Sequence, residues 1–298
     1  MNNTFKSGFV AIIGEANVGK STLLNRILGE KVAIVSPKPQ TTRNKIIGIL
    51  NEDDCQIIFI DTPGMHKSKN KLDDFMKKNI ERAQSGVDVT ILVLDGLKQF
   101  TQERLDFVKS YDKKNTILVV NKIDETSFEK LYPKLAIFNE LKNIKDIVPI
   151  SAKKGKNVDK LVEIIKSYLS SNIKYFPDDI YTDKSERFLA SETIREKALY
   201  YLQDEIPHGI AVNILSFKET DDLCTIDADI VCEKNTHKQI IIGKNGEMLQ
   251  LIGTKSREEI EKIVNKKVML KLYVKVRENW RNNDLYIKDL GYTLNDWE

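Results

Sequence analysis

Gly14-Glu15-Ala16-Asn17-Val18-Gly19-Lys20-Ser21 follows an unbroken apolar run, Phe9-Val10-Ala11-Ile12-Ile13, and leads into Thr22-Leu23-Leu24-Asn25-Arg26-Ile27-Leu28. The run has the pattern of a strand buried on both faces, and the stretch from Ser21 to Leu28 reads as a helix. A G-x-x-x-x-G-K-[ST] octet in that setting is a phosphate-binding loop. Its glycines let backbone N–H groups turn inward around phosphate oxygens, and the helix N-terminus adds partial positive charge. Lys20 supplies a point charge to the β- and γ-phosphates, and the Ser21 hydroxyl is a ligand for Mg²⁺. Gly14, Glu15, Ala16, Asn17, Val18, Gly19, Lys20, Ser21 and Thr22 are therefore the expected phosphate-side residues.

Further apolar runs at 56–60, 89–94, 116–120 and 147–150 alternate with amphipathic stretches such as 103–111 and 128–141, and 158–169 reads as a closing helix. Alternation of this kind predicts a mainly parallel sheet covered on both faces. Residues 45–50 and 56–60 are separated only by Asn51-Glu52-Asp53-Asp54-Cys55. That spacing suits a hairpin and one antiparallel edge strand. Tyr175-Phe176-Pro177-Asp178-Asp179 breaks the pattern and reads as a linker. Beyond it the order is helix, strand, strand, helix, helix (256–264), strand, a small α+β domain. The expected division is 6–174 for the nucleotide domain, 175–185 for the linker, 186–282 for the second domain and 283–298 for a tail.

P-loops serve adenine and guanine nucleotides alike, so the base must be read elsewhere. Asn121-Lys122-Ile123-Asp124 follows the strand at 116–120, where open α/β sheets place ligand loops. A carboxylate at Asp124 can accept from guanine N1–H and from the N2 amine; adenine offers no such pair, and an ATPase reading fails there. Ser151-Ala152-Lys153 after the strand at 147–150 would bring backbone N–H to guanine O6. Asp61-Thr62-Pro63-Gly64 closes the strand at 56–60: Asp61 is expected to hold Mg²⁺ through water, and the Gly64 N–H to sense the γ-phosphate. In Gln40-Thr41-Thr42-Arg43, Thr42 rather than Thr41 is the hydroxyl expected to close on the metal. Residue 65 is Met, where a Gln would orient the attacking water in Ras-type enzymes, and His66 reads as a surface residue. Slow hydrolysis is expected, with no catalytic side chain assigned. A nucleotide-sensing scaffold with negligible turnover is the alternative.

The order P-loop, Thr, D-x-x-G, N-K-x-D, S-A-K is that of translation-factor-class GTPases. With G-x-x-N-V-G-K-S-T-L-L-N, Q-T-T-R, D-T-P-G and the trailing α-β-β-α-α-β domain, the chain resembles the bacterial Era family over nearly its whole length. The resemblance implies that the second domain is a type II KH module. It also implies binding to the 3′ end of small-subunit ribosomal RNA and action in assembly of the 30S subunit. Peripheral contact with the inner face of the cell membrane, and a K⁺ ion near Asn17, are further implications of the resemblance.

Gly243-Lys244-Asn245-Gly246 is the G-x-x-G turn that KH domains bring against about four nucleotides of single strand. Arg277, Trp280 and Arg281 cluster after the last strand and are expected to stack on or pair with RNA, Trp280 being equally suited to packing. Net charge is only +3, so a nucleic-acid surface must be a local one. Three scattered cysteines, Cys55, Cys224 and Cys232, fit reduced thiols rather than a disulfide framework. No signal peptide and no bilayer-spanning run are read, so a cytoplasmic protein is expected; a monomer is expected as well.

Overall fold

The computed structural model describes residues 5–66, 68–111, 115–138, 141 and 143–294. Its backbone divides into two compact units. Among the described residues the first holds 5–33, 44–66 and 78–183, and the second holds 34–43, 68–77 and 184–294.

The first unit is a six-stranded sheet in the order β2-β3-β1-β4-β5-β6. The strands are β1 (Lys6–Gly14), β2 (Ile46–Glu52), β3 (Cys55–Asp61), β4 (Val89–Asp95), β5 (Thr116–Asn121) and β6 (Ile144–Pro149). Only β2 runs antiparallel, paired to β3 as the hairpin spacing predicts. The alternation of side chains along β1 feeds two cores. Val10 and Ile12 pack with Leu23 and Leu24 of α1 (Lys20–Leu28) and with Leu161 and Ile165 of α5 (Val158–Tyr168). Ala11 and Ile13 face Val108 of α3 (Gln102–Ser110) and Phe138, which follows α4 (Phe128–Ala136).

The expected linker is instead bound along the sheet edge. Gln56 accepts from the backbone N–H of Tyr175 (2.7 Å) and Phe176 (3.0 Å), Ile49 N donates to Tyr181 O (2.9 Å), and Thr182 Oγ1 donates to Ile47 O (2.7 Å). Pro177 and its acidic neighbours signal a turn in the sequence, but the flanking backbone groups take up the otherwise unpaired edge of β2.

In the second unit, a three-stranded sheet β7-β8-β9 is formed by β7 (Ala211–Glu219), β8 (Leu223–Cys232) and β9 (Lys267–Val276). The helices are α6 (Glu186–Tyr201), α7 (Asn235–Ile242), α8 (Glu247–Val264) and α9 (Asp284–Asp289). The α-β-β-α-α-β order is as expected. Helix α8 begins nine residues before 256, because left-handed Gly246 caps it and Gly253 is carried inside it. One sheet face packs Ile226, Ala228 and Ile230 against Ile194 of α6 and Ile252 and Ile260 of α8.

The other face differs from expectation. Ala211 and Val231 are covered by Trp280, Ile287, Leu290 and Tyr292, together with Leu72, Phe75 and Met76 from the first turns of α2 (Lys71–Ala83). Ile287, Leu290 and Tyr292 thus belong to a core rather than a tail, and two segments placed by sequence within 6–174 fold with the second unit. Segment 34–43 is tied there by polar contacts. Val35 N donates to Glu196 Oε1 (2.9 Å), Arg195 Nη2 donates to Thr41 O (2.5 Å), and Gln40 Nε2 donates to Asp73 Oδ1 (3.0 Å). Arg43, 1% exposed, donates to Ile210 O (2.6 Å), His208 O (3.1 Å) and Tyr292 Oη (3.1 Å). All three cysteines are free and buried. Among the described residues, no helix is long and apolar enough to cross a membrane.

Candidate nucleotide and RNA sites

The nucleotide motifs of the first unit converge at the C-terminal ends of β1, β3, β5 and β6, where an open α/β sheet binds ligands. Gly19 takes φ +96 at the entry to α1, and a Cβ there would stand 2.3 Å from Asn121 Nδ2. Only glycine fits this close approach. Asn121 itself is buried and joins the loops: its Nδ2 donates to Val18 O (2.8 Å) and its Oδ1 accepts from Ala152 N (2.9 Å). The phosphate loop and the Ser151-Ala152-Lys153 loop are thereby fixed to one side chain. Arg26 of α1 adds bonds to Ala152 O (3.1 Å) and Lys153 O (2.6 Å). Lys122 is left-handed (φ 69), which turns the chain into the short 3-10 segment Ile123–Glu125 and leaves Asp124 exposed at its surface.

Lys20 is buried, and its ammonium donates to Gly14 O (3.1 Å) and Glu15 O (2.9 Å). Burial lowers its pKa to about 8, opposed by the nearby Asp61 and Glu15 carboxylates. Ser21 Oγ donates to Asp61 Oδ2 at 2.6 Å, with Asp61 fully buried. A hydroxyl and a carboxylate side by side are hard oxygen donors, the chemistry Mg²⁺ prefers, so this pair fits the ion. Thr42 is buried within the second unit. Thr62 Oγ1 donates to Ile12 O (2.9 Å) and anchors the loop that carries Pro63. A Cβ on Gly64 would lie 2.6 Å from Ala16 Cα, and Met65 N donates to Gly14 O (3.1 Å). His66 is turned back on its own loop, its Nδ1 2.8 Å from Gly64 O.

One wall of this site carries no motif. Asp95, at the end of β4, accepts from Lys122 Nζ (2.7 Å), and Gly96 N donates to Asn121 O (2.9 Å). Lys98 and Arg104 both bond the Glu15 carboxylate. Sequence reading missed all four residues; an Asp-Gly pair at a strand end is their only signal.

In the second unit, Gly243 (φ 76) and Gly246 (φ 83) bracket left-handed Asn245 between α7 and α8. Beside the turn runs a groove of about 370 Å³ lined by Gly246, Leu249, Gln250, Gly253, Arg257 and Leu272. Its walls are one face of α8 and one face of β9, with an apolar floor and Arg257, paired with Glu261 (3.1 Å), at the rim. Trp280 is not part of such a surface. It is fully buried, its Nε1 donates to Gly209 O (2.9 Å), and it stacks with Tyr292, so the stacking expectation is corrected to a packing role. Arg277 is paired with Asp289 (2.6 Å) and Arg281 with Glu233 (2.6 Å). The missed residues, Leu249, Gln250 and Gly253, gave no signal because nothing in the sequence shows which face of α8 lies along β9.

A glycine-flanked P-loop, a buried Ser–Asp oxygen pair beside it and an N-K-x-D loop on one sheet, followed by a G-x-x-G unit, define a P-loop GTPase carrying a KH domain. The family described as "50S ribosome-binding GTPase" matches residues 9–122, and the KH domain family matches 205–281. The GTPase Era of Clostridium acetobutylicum is 50% identical over 291 residues, covering 97% of this chain and 98% of that protein. That of Clostridioides difficile is 48% identical, covering 97% and 99%. A crystal structure of a single-residue variant of Aquifex aeolicus Era bound to GDP and AlF4⁻ superposes with a TM-score of 0.93 at 38% identity, over 97% of this chain and all of that one. A structure of Era with MgGDPNP and nucleotides 1506–1542 of 16S ribosomal RNA gives the same score, identity and coverage. The chain belongs to the GTPase Era family.

Proposed function

We propose that this GTPase binds GTP with Mg²⁺ at Ser21 and Asp61, hydrolyses it slowly, and holds the 3′ end of small-subunit ribosomal RNA in the groove beside Gly243–Gly246. The observation that carries the RNA assignment is Gly253. A glycine inside a helix costs about 1 kcal/mol relative to alanine, and here it stands in the groove wall, where a Cβ would come 3.4 Å from Leu272. The absent side chain keeps the groove open for a base or ribose to lie against α8. When bound, Mg²⁺ would neutralise charge between the β- and γ-phosphates. The protein's own part is positioning: Lys20 meets the phosphates, Asn121 holds the two loops in register, and Asp124 selects the guanine edge. Thr42 is the hydroxyl we assign to the metal in the GTP state. Met65 offers the attacking water no useful hydrogen bond, and His66 is engaged at Gly64 O, which supports slow turnover.

Gly253→Leu is expected to weaken binding of a single-stranded RNA of that 3′-end sequence by about tenfold or more, each lost base contact being worth about 1–3 kcal/mol. Gly253→Ala should raise stability slightly and weaken RNA less. Titrations at one fixed salt concentration read both, with Gly243→Asp plus Gly246→Asp as the reference loss. Unchanged RNA affinity in Gly253→Leu would remove the groove from the assignment. Asn17, left-handed at φ 63 in the phosphate loop, is the residue we assign to a K⁺ ion. Phosphate release should accordingly be faster in K⁺ than in Na⁺ buffer, and equal rates would count against it. Contact with anionic membrane surfaces is the remaining implication of the family resemblance; cosedimentation with anionic vesicles tests it, and recovery of all the protein in the supernatant would argue against it.

A further inference from the structure

Glu15 places a carboxylate in a loop whose task is to hold polyphosphate. Like charges this close to a ligand oppose its binding. In the structure that carboxylate is held from outside the loop. Arg104 Nε donates to Oε1 at 2.7 Å, Arg104 Nη2 donates to Oε2 at 2.9 Å, and Lys98 Nζ donates to Oε2 at 3.2 Å. The Arg104 fork is fixed in turn by its Nη1 donating to Gln99 O (2.6 Å). A two-bond guanidinium–carboxylate pair fixes orientation as well as charge. Arg104, then Lys98, holds the carboxyl below its ordinary pKa, so it stays ionised and in need of those partners.

The backbone of Glu15 is a junction of the site. Its carbonyl accepts from the Lys20 ammonium (2.9 Å), and its main chain forms a bridge with Met65, the residue after D-T-P-G. Whatever fixes the Glu15 side chain also fixes the carbonyl that steadies Lys20 and the strand-like contact between the phosphate loop and the D-x-x-G loop. The same connection reaches the base loop, since Asp95 holds Lys122 (2.7 Å). From Asp95 to Arg104, one short segment outside every nucleotide motif thus grips both halves of the site.

We propose that Arg104, assisted by Lys98, is a positioning residue for nucleotide binding. It neutralises Glu15 and draws its side chain away from the phosphates, fixing the loop that carries Lys20. The inference rests on Gly14–Ser21 being the phosphate loop. A consequence separates it from a merely structural role: the need for Arg104 exists only while residue 15 carries a negative charge.

The test is a double-mutant cycle on the full chain, Arg104→Ala, Glu15→Gln and the pair together, read by equilibrium titration with fluorescent GTP and GDP analogues and by steady-state hydrolysis. Arg104→Ala is expected to weaken GTP about tenfold and GDP less, since GTP carries the greater charge, and to raise KM with kcat nearly unchanged. Glu15→Gln is the reference for the second leg of the cycle, and adding Arg104→Ala to it should cost far less GTP affinity than Arg104→Ala costs the unsubstituted protein. The Arg104→Ala deficit should shrink in part at high salt, as the effect of a partly exposed charge is partly screened. Equal GTP affinity in Arg104→Ala, or the same loss from Arg104→Ala in both backgrounds, would overturn the proposal. Should Arg104→Ala fail to fold, Lys98→Ala with and without Glu15→Gln reads the same cycle at smaller amplitude, and the same loss in both backgrounds there is equally decisive against it. Failure of the unsubstituted protein to bind GTP would instead reject the phosphate-loop assignment.

Discussion

Arg43→Ala is expected to destabilise the second unit by about 3 kcal/mol, the cost of breaking a buried, hydrogen-bonded charge site. The side chain is 1% exposed and serves Ile210 O, His208 O and Tyr292 Oη. Its guanidinium also lies 5.8 Å from the Trp280 ring and 5.9 Å from that of Tyr292. Alanine would leave the buried Ile210 carbonyl, the half-buried His208 carbonyl and the Tyr292 hydroxyl without this donor and open a void beside Trp280. Burial disfavours the charged form of Arg43, but guanidinium remains protonated, so the penalty is met by those acceptors and rings rather than by neutralisation. Urea unfolding followed by circular dichroism checks the value. Arg43→Lys should recover only part of it, because an ammonium cannot span the same acceptors. A loss below about 1 kcal/mol would show that the arginine is incidental to packing. The same core limits where the chain can be cut. A fragment ending near 183 would leave Leu72, Phe75 and Met76 without the residues that cover them, and is expected to aggregate more readily than the full chain.

Asn121→Ala is expected to weaken GTP binding by about 30- to 100-fold. Two buried hydrogen bonds are lost, to Val18 O and from Ala152 N, each worth about 1–1.5 kcal/mol net. The effect falls on nucleotide binding because the bonds cross between the phosphate loop and the base loop. Loss of Asn121 frees both from a common reference, and misplacement of either by a fraction of an ångström is felt at the ligand. Asn121→Asp should be at least as severe, since a carboxylate oxygen would replace the amide that donates to Val18 O. Equilibrium titration with a fluorescent GTP analogue measures it, alongside thermal unfolding to confirm the fold. An affinity within about threefold of the unsubstituted protein would mean that Asn121 does not join the loops in the bound state.

Much of the nucleotide site was legible because its parts are contiguous. Gly14–Ser21, Asp61–Gly64, Asn121–Asp124 and Ser151–Lys153 each sit at the end of an apolar strand, and strand ends of a parallel sheet meet at one edge whatever the details of packing. The hairpin that makes β2 antiparallel was equally local. The RNA side was legible only at its glycines: the turn at Gly243–Gly246 could be read, but Trp280, an aromatic in a basic stretch, has the same sequence signature whether it stacks on RNA or on Tyr292.

By itself the sequence determined the P-loop, the N-K-x-D loop at the end of β5, the order of strands and helices in both units, and the G-x-x-G turn. These rest on short-range patterns in which neighbours in the chain are neighbours in space. Tertiary structure alone decided that 34–43 and 68–77 fold with the C-terminal unit, that α9 and Trp280 belong to its core, and that Gly253 lines a groove. It decided as well that Arg104 closes on Glu15, a pairing across 89 positions. Such contacts are chosen by complementary shape and charge between distant segments, and no local periodicity records that choice.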